Sequence, residues 1–214
     1  MSSQSWVNLP VPPDPLHWSA DADERLRRWL QALVDTPGLS AIADVDEARR
    51  ALLEDSLRGA GLVASFPGPI VDVGSGGGVP GIPLAVSLAD RDITLLEANG
   101  RKCEFLRTWA PPNAHVVQGR AEEQETDVYG VAVAKALAPP PVAAEWCLPL
   151  VWPGGAAILW VGPSVDAARV SRVAEQLGGD LAAEHDGLLV LRKLRPTPGA
   201  FPRRTGVARK RPLG

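Results

Sequence analysis

A glycine-rich turn between a buried strand and a helix constrains this chain more than any other feature. Residues 70–73 (Ile-Val-Asp-Val) predict the strand, and four of the next five residues, 74–78, are glycines. Glycine lets the backbone turn tightly and lets its N–H groups approach a ligand where a side chain would clash. The next apolar run, residues 93–96, ends on Glu97. Strand, glycine turn, helix, strand and carboxylate is the pattern of a nucleotide-ribose site at the C-terminal edge of a parallel sheet.

The length and composition are ordinary for one globular domain. The chain has 214 residues, of which 45% are hydrophobic and 22% charged, enough for one α/β domain with a short N-terminal addition. The N-terminus lacks the basic start and apolar run of a signal peptide, and no apolar stretch reaches membrane-spanning length. Cys103 and Cys147 lack metal-ligand spacing and are expected to be reduced packing residues. We therefore expect a cytoplasmic monomer without a metal or a membrane partner.

Charge is distributed unevenly along the chain. Residues 187–214 hold eight basic residues and no acidic one, so the preceding 186 residues hold the other 14 basic residues and all 25 acidic ones, a net charge of −11. A basic segment on an acidic protein is typical of contact with a polyanion such as RNA. The alternative is a segment that aids solubility or docks on the acidic body, and a short basic cluster does not separate the two.

Alternating apolar strands and helices predict a doubly wound sheet. The predicted strands are 69–74, 92–97, 114–118, 128–134 and 155–161, and the predicted helices between them are 80–89, 100–110, 141–150 and 164–177. The turn His185-Asp186-Gly187 between two apolar runs predicts a final antiparallel hairpin. Two further helices, residues 21–34 and a second from about Asp44 to an exit at Gly59 and Gly61, are expected to form a cap before the sheet.

These patterns divide the chain into four parts. We predict an extended or disordered N-terminus (1–18), an N-terminal helical cap (19–64), a Rossmann-like domain (65–195) and a basic C-terminal tail (196–214).

Two kinds of cofactor fit this glycine turn. The run Gly-x-Gly-x-x-Gly at residues 76–81 matches the dinucleotide fingerprint, but a single match of this length is weak. Asp72 instead gives the Asp-x-Gly-x-Gly-x-Gly form that accompanies a methionine moiety, and Pro80 removes an N–H that a pyrophosphate would use. The final hairpin is also more typical of methyltransferases than of dehydrogenases. The pattern therefore favours S-adenosylmethionine, with Glu97 accepting hydrogen bonds from the ribose hydroxyls through both carboxylate oxygens.

Residues 71–84, Val-Asp-Val-Gly-Ser-Gly-Gly-Gly-Val-Pro-Gly-Ile-Pro-Leu, resemble the signature of the small-subunit ribosomal RNA guanine-N7 methyltransferase G family, also called glucose-inhibited division protein B. Residues 44–57, 94–106, 119–123 and the tail from Arg195 are similar to the same family. The resemblance implies a class I, Rossmann-like methyltransferase with a mostly parallel seven-stranded sheet that ends in an antiparallel hairpin. It further implies S-adenosylmethionine as cofactor, small-subunit (16S) ribosomal RNA or the ribosomal subunit as partner, and transfer to guanine N7.

The resemblance and the turn pattern together assign candidate site residues. The resemblance places cofactor contacts on Gly74, Val79, Ala121, Glu122 and Lys135, and the turn pattern adds Gly76, Gly78 and Glu97. The candidate RNA contacts are Lys135, Arg203, Arg204, Arg209, Lys210 and Arg211. Two simpler roles stay open: Glu122 as an ordinary charged loop residue, and Lys135 as a strand-end lysine that extends to water.

Four departures from the family pattern lie around the expected substrate site. The family's Arg-His, Ser-Arg-Ala, Lys-Gly and Asn-Leu-Thr are replaced here by Ala51-Leu52, Ala134-Lys135-Ala136, Val161-Gly162 and Gly38-Leu39-Ser40. Arginine, histidine and lysine are the groups suited to an RNA backbone and a guanine. Two alternatives therefore stand beside the ribosomal RNA methyltransferase: an RNA- or ribosome-binding paralogue without transfer, and a methyltransferase for a small molecule.

Transfer to guanine N7 requires no general base, because that nitrogen already offers a lone pair. Catalysis then depends on alignment of the reacting atoms. We accordingly predict no catalytic side chain, and His17, His115 and His185 lack a partner pattern. Asp55 and Ser56 are expected to fix the N-terminal helices rather than to touch substrate.

Overall fold

Seven strands form one sheet in the computed structural model, which describes residues 19–214; the predicted N-terminal segment 1–18, with His17, lies outside the described residues. The strands are β1 (Ile70–Val73), β2 (Ile93–Glu97), β3 (Ala114–Gln118), β4 (Tyr129–Lys135), β5 (Val151–Trp160), β6 (Gly179–His185) and β7 (Leu188–Lys193). Their spatial order is β3-β2-β1-β4-β5-β7-β6. Strands β1 to β5 pair in parallel, whereas β7 is antiparallel to both β5 and β6. The predicted mostly parallel sheet with a final hairpin is confirmed.

The strand order changes direction at β1. Strands β2 and β3 lie on one side of β1, and β4 lies on its other side. In open α/β sheets, ligands bind beyond the carboxyl ends of the strands at such a point, because the connecting loops diverge there and leave a crevice. The topology therefore places a crevice at the end of β1, where the glycine turn begins.

Nine α-helices surround the sheet within the described residues. They are α1 (Ala20–Asp35), α2 (Val45–Ala48), α3 (Asp55–Leu57), α4 (Ala60–Ala64), α5 (Gly81–Ser87), α6 (Gly100–Trp109), α7 (Pro140–Cys147), α8 (Ala167–Gln176) and α9 (Val207–Lys210). A π-helical segment, Arg49–Glu54, joins α2 to α3, and single 3₁₀ turns span Ala121–Glu123 and Leu148–Leu150. No helix in residues 19–214 is both long and apolar enough to cross a membrane.

Successive side chains along each strand point to opposite faces of the sheet. On β1, Ile70 packs in a cluster with α1 to α5, whereas Val71 packs in the opposite cluster with α7 and α8. Both cysteines are free and buried, as expected of packing residues. Burial raises the pKa of the Cys147 thiol, which keeps it protonated and inert.

The cap differs from its prediction at the exit of the second helix. The predicted exit at Gly59 and Gly61 is wrong, because α4 begins directly after Gly59 and includes Gly61. Gly59 is needed for packing instead, because a Cβ there would run into the Trp160 ring at the end of β5. The Trp160 Nε1–H also donates to the Asp55 carbonyl oxygen at 2.9 Å. The N-terminal helices are thereby attached to the carboxyl end of β5.

Strand β5 begins four residues earlier than predicted. Gly154 and Gly155 interrupt the apolar pattern, yet Val151 already pairs with Tyr129 across an irregularity in the register. The final hairpin matches its prediction, since Asp186 and Gly187 have φ values of 48° and 73°, the left-handed pair that a tight two-residue turn needs.

Candidate functional site

The glycine turn lies at the carboxyl end of β1 and uses left-handed backbone at three positions. Gly74, Gly76 and Gly78 have φ values of 73°, 57° and 101°, a region that side chains adopt only with strain. At Gly74 and Gly78 an added Cβ would also run into Leu137 and Ile82, respectively. At Gly76 the nearest atom to such a Cβ is a backbone oxygen 3.8 Å away. Gly76 therefore borders open space, which an added side chain would fill.

Five N–H groups of the turn are hydrogen-bonded within the protein. The Leu96 carbonyl accepts from Gly74 (2.8 Å) and Ser75 (3.1 Å), the Glu97 carboxylate accepts from Gly76 (2.9 Å), and the Ser75 carbonyl accepts from Gly78 (2.7 Å) and Val79 (3.1 Å). A pyrophosphate requires several free N–H groups at such a turn. The turn therefore offers a methionine moiety room, but it offers a dinucleotide phosphate few donors, which argues against the dinucleotide alternative.

Glu97 organises the turn as well as facing the crevice. Its Oε2 accepts from the Gly76 N–H (2.9 Å) and its Oε1 from the Asn99 N–H (2.7 Å), and the residue is only 8% exposed. Both oxygens thus already have a backbone donor, which the sequence did not predict. Because each carboxylate oxygen has two acceptor sites, Glu97 keeps the capacity to accept ribose hydroxyls.

Asp72 lies beneath the turn and does not face the crevice. Its Oδ2 accepts from the Gly81 N–H (3.0 Å), which ties β1 to the start of α5, and its Oδ1 has no partner among the described residues. Burial is the largest cause that raises the pKa of this carboxyl to about 7, and the charge of Glu97 adds to it. Asp72 therefore supports the turn from below, half protonated near neutral pH.

A first cavity of about 240 Å³ opens beside the turn, at the carboxyl ends of β1, β2 and β3. Four predicted cofactor residues line it together: Gly74, Glu97, Ala121 and Glu122. Four polar or aromatic residues in its wall were not predicted as cofactor contacts: Lys102, Arg120, Trp146 and Arg209. Lys102 lies within residues 94–106, one of the stretches that resemble the family, so a sequence signal for it existed.

A second cavity of about 340 Å³ lies on the other side of the turn, under the N-terminal helices. The predicted residues Gly76, Val79 and Lys135 line it, and its wall includes Leu33, Leu39, Ile42 and Leu52. Both cavities share Gly74, Lys102 and Ala136. The two cavities therefore meet at the carboxyl ends of β1 and β4.

Lys135 forms an ion pair at the floor of the second cavity. Its Nζ donates to the Asp55 carboxylate and to the Ala51 carbonyl oxygen (2.9 Å), and its side chain is 16% exposed. The alternative of a lysine that extends to water is therefore wrong. Asp55 connects the cap to β4, in agreement with its predicted role in fixing the N-terminal helices.

The remaining predicted residues fall into three groups. Gly78 lines neither cavity. Glycine is needed at this position because the backbone is left-handed and because an added Cβ would run into Ile82. Arg203 forms a two-pronged ion pair with Glu145 of α7, and Arg209 lines the first cavity. Arg204, Lys210 and Arg211 are exposed. Their roles in RNA binding stay predictions.

Comparison with known proteins agrees with this geometry. The family model described as GidB, rRNA small subunit methyltransferase G, matches residues 23–171. A ribosomal RNA small subunit methyltransferase G from Synechococcus elongatus is 35% identical in an alignment over 201 residues, with a coverage of 82% of this chain and 82% of the relative. The chain belongs to the rRNA small subunit methyltransferase G family. A further family member, from Chloroflexus aggregans, is 33% identical over 212 residues and covers 88% of this chain and 89% of its own.

Solved structures agree with the methyltransferase G fold, at low sequence identity. A chain from the complex of the Haloferax volcanii Trm112 methyltransferase activator superimposes with a TM-score of 0.54 at 13% identity, covering 78% of this chain and 97% of that chain. The TYW2 protein of P. horikoshii, in complex with MeSAdo, gives a TM-score of 0.50 at 12% identity, covering 66% of this chain and 60% of that one. These likenesses show the fold alone.

Membership of the methyltransferase G family confirms three predictions: the Rossmann-like methyltransferase fold, the enzymatic activity, and S-adenosylmethionine as cofactor. All residues that line the two cavities, except Arg209, lie within the matched range 23–171. Arg209 is therefore the one residue of the two cavity walls that lies outside the range matched by the family model.

Proposed function

We propose that this protein transfers a methyl group from S-adenosylmethionine to N7 of a guanine in small-subunit (16S) ribosomal RNA. One observation carries the proposal: a polar cavity and a largely apolar cavity meet at the glycine turn and share Gly74, Lys102 and Ala136. A methyl donor and a base held in the two cavities would meet at this junction. Such a junction suits a reaction that depends on the alignment of two reactants.

The first cavity has the groups that S-adenosylmethionine requires. Glu97 faces the ribose position at the end of β2, and Ala121 and Glu122 follow β3, where the adenine edge would lie. When bound, S-adenosylmethionine supplies an electrophilic methyl group on a positively charged sulfur. Gly76 lines the second cavity next to the shared Gly74, so the open space above it leaves room for the methionine portion at the junction of the two cavities. The Gly76 N–H is already bonded to Glu97. The residues present therefore fit this cofactor.

The second cavity has the character of a site for a flat base. Its wall is largely aliphatic, with Leu39, Ile42 and Leu52 contributed by the cap. Lys135, held by Asp55 and the Ala51 carbonyl, adds one fixed cation to this wall, and its ammonium keeps one N–H to donate to a polar base edge. No histidine among the described residues lines either cavity, and the N7 lone pair needs no proton removed first. The site would act by holding guanine N7 toward the junction and by excluding water.

RNA would reach the junction along a basic edge. Arg204, Lys210 and Arg211 are exposed in the C-terminal tail, close in sequence to Arg209 at the first cavity. Exposed lysine and arginine side chains bind RNA phosphates, and such binding weakens with salt because counterions are released. The exposed tail residues are thus the proposed RNA contacts.

Labelled-methyl transfer tests the proposal against both alternatives. The protein is incubated with methyl-labelled S-adenosylmethionine and one of three substrates: naked small-subunit RNA, assembled small subunits, or a metabolite extract free of macromolecules. Label in either RNA sample supports the proposal. Label in the metabolite extract alone favours a small-molecule methyltransferase. Cofactor binding by calorimetry without label in any sample favours the non-catalytic paralogue, for which Ala51 and Leu52 in place of Arg-His are the reason.

A further inference from the structure

The C-terminal segment follows a fixed path from the far end of the sheet to the first cavity. At its start, Thr197 donates from its backbone N–H to Asp127 (3.1 Å), and the buried Lys193 Nζ lies 3.1 Å from the same carboxylate. The segment then crosses α7, where Arg203 pairs with the buried Glu145. The basic tail is therefore attached to the domain before it reaches the site.

The segment ends at the first cavity through contacts with two of its walls. The Gly206 N–H donates to Glu122 Oε1 (3.1 Å), and Ala208 of α9 is 1% exposed in the cluster that contains α7 and α8. The guanidinium carbon of Arg209 lies 5.2 Å from the centroid of the Trp146 ring, a cation–π distance. Arg209, Trp146 and Glu122 all line the cavity. The C-terminal segment thus forms one wall of it.

We propose that Arg209 is a cofactor-binding residue that contacts the adenine of S-adenosylmethionine. The inference rests on the proposed use of the first cavity. Adenine is a flat ring with acceptor nitrogens and an exocyclic amine that donates. Glu122 can accept from that amine, whereas a guanidinium can donate to ring nitrogens and can lie against the ring face. The carboxylate and the guanidinium at this end of the cavity complement the two kinds of polar group on adenine.

This assignment differs from the RNA role predicted for Arg209. Arg211, two residues further along, is also an exposed arginine of the tail, but it does not line the first cavity. The two arginines therefore form a matched pair: both are exposed, but only Arg209 lines the cavity.

The pair is compared by titration calorimetry of the full-length protein with S-adenosylhomocysteine and, separately, with adenosine. Arg209→Ala should weaken both ligands by roughly five- to tenfold, since it removes a charged and stacking contact. Arg209→Lys should recover part of the loss, because the cation remains but the planar guanidinium does not. Arg211→Ala should bind both ligands like the unmodified protein.

Three results would overturn the inference: unchanged S-adenosylhomocysteine affinity in Arg209→Ala, a loss for S-adenosylhomocysteine without one for adenosine, or an equal loss in Arg211→Ala. The second result would put the contact at the methionine end, and the third would mark a general effect of charge. If the unmodified protein bound neither ligand, the proposed function itself would fail. The thermal unfolding midpoint of each variant shows whether the fold is retained.

Discussion

The indole of Trp29 donates a hydrogen bond from Nε1 to the carbonyl oxygen of Gly77 over 2.9 Å. This contact joins helix α1 of the cap to the glycine turn across 48 positions of the sequence. Trp29 is fully buried, and a Cβ on Gly77 would run into Leu33 of the same helix. The cap is therefore packed directly against the turn and supports its conformation.

Trp29→Phe should therefore destabilise the fold and weaken cofactor binding. The change leaves the buried Gly77 carbonyl without its donor, and such a group costs about 1–3 kcal/mol of unfolding free energy. We expect the affinity for S-adenosylhomocysteine to fall by roughly three- to tenfold, about 1 kcal/mol. Urea unfolding and calorimetry measure the two effects. Trp109→Phe is the control, since Trp109 packs against Phe105 on α6. Unchanged affinity in a destabilised Trp29→Phe protein would show that the cap does not support the cofactor-binding conformation of the turn.

Gly76→Asp should abolish cofactor binding while the fold is retained. The new carboxylate would enter open space beside the turn, and the left-handed backbone adds a strain of about 1–2 kcal/mol. Gly154→Asp is the matched control, because Gly154 also has a left-handed φ of 97° with nothing within 4 Å of an added Cβ, but it lines neither cavity. Calorimetry with S-adenosylhomocysteine should show no binding for the first variant and ordinary binding for the second. If both variants bound S-adenosylhomocysteine like the unmodified protein, the turn would not be part of the cofactor site.

Asp72→Asn should change how stability depends on pH. Folding raises the pKa of this carboxyl from 3.8 to about 7. Between those values the unfolded state has lost the proton and the folded state keeps it, so the contribution of Asp72 to stability falls as pH rises. The slope is at most about 1.4 kcal/mol per pH unit. Asparagine does not titrate. The unfolding free energy of the variant, minus that of the unmodified protein, should therefore increase between about pH 4 and about pH 7.

Urea unfolding at several pH values across that window measures the difference between the two proteins. Asp46→Asn, on an exposed residue of α2, supplies the control for the loss of one surface carboxylate. Parallel stability curves for Asp72→Asn and the unmodified protein would mean that folding does not raise the pKa of Asp72.

Arg203 and Arg204 are neighbours in the tail with different expected roles. Arg203→Ala leaves the buried Glu145 carboxylate without its cation and should cost about 3–5 kcal/mol of unfolding free energy. Arg204→Ala, at an exposed position, should change stability by no more than about 0.5 kcal/mol. For RNA binding the order is reversed: Arg204→Ala should lower the slope of log affinity against log salt by about 0.7, and Arg203→Ala should leave it unchanged. A lower salt slope in Arg203→Ala would show that Arg203 also contacts RNA.

The sequence predicted the sheet and much of the first cavity because both follow from local patterns. Period-two apolar runs locate the strands, and the carboxyl ends of parallel strands necessarily meet at one edge. Gly74 and Glu97 stand at the ends of such runs, so their meeting could be foreseen, whereas Ala121 was assigned by the family resemblance. The left-handed glycines likewise have a local cause in the turn itself.

The contacts that were missed depend on tertiary packing. Trp146 of α7 and Arg209 of the tail are 63 positions apart, and no spacing rule joins them. The ion pair of Arg203 with Glu145 gives no signal in the sequence either, because a buried acidic partner looks there like any other acidic helix residue. The π-helical segment that presents the Ala51 carbonyl to Lys135 has no sequence rule of its own either.

Nucleoside analysis of the methylated RNA tests the central proposal most directly. Small ribosomal subunits from cells that lack this protein are incubated with it and methyl-labelled S-adenosylmethionine, the RNA is digested to nucleosides, and the labelled nucleoside is identified by mass spectrometry. We predict that the label is found in 7-methylguanosine. Label in a different nucleoside, or none at all from a protein that binds S-adenosylhomocysteine, would contradict the assignment of guanine N7 as the methyl acceptor.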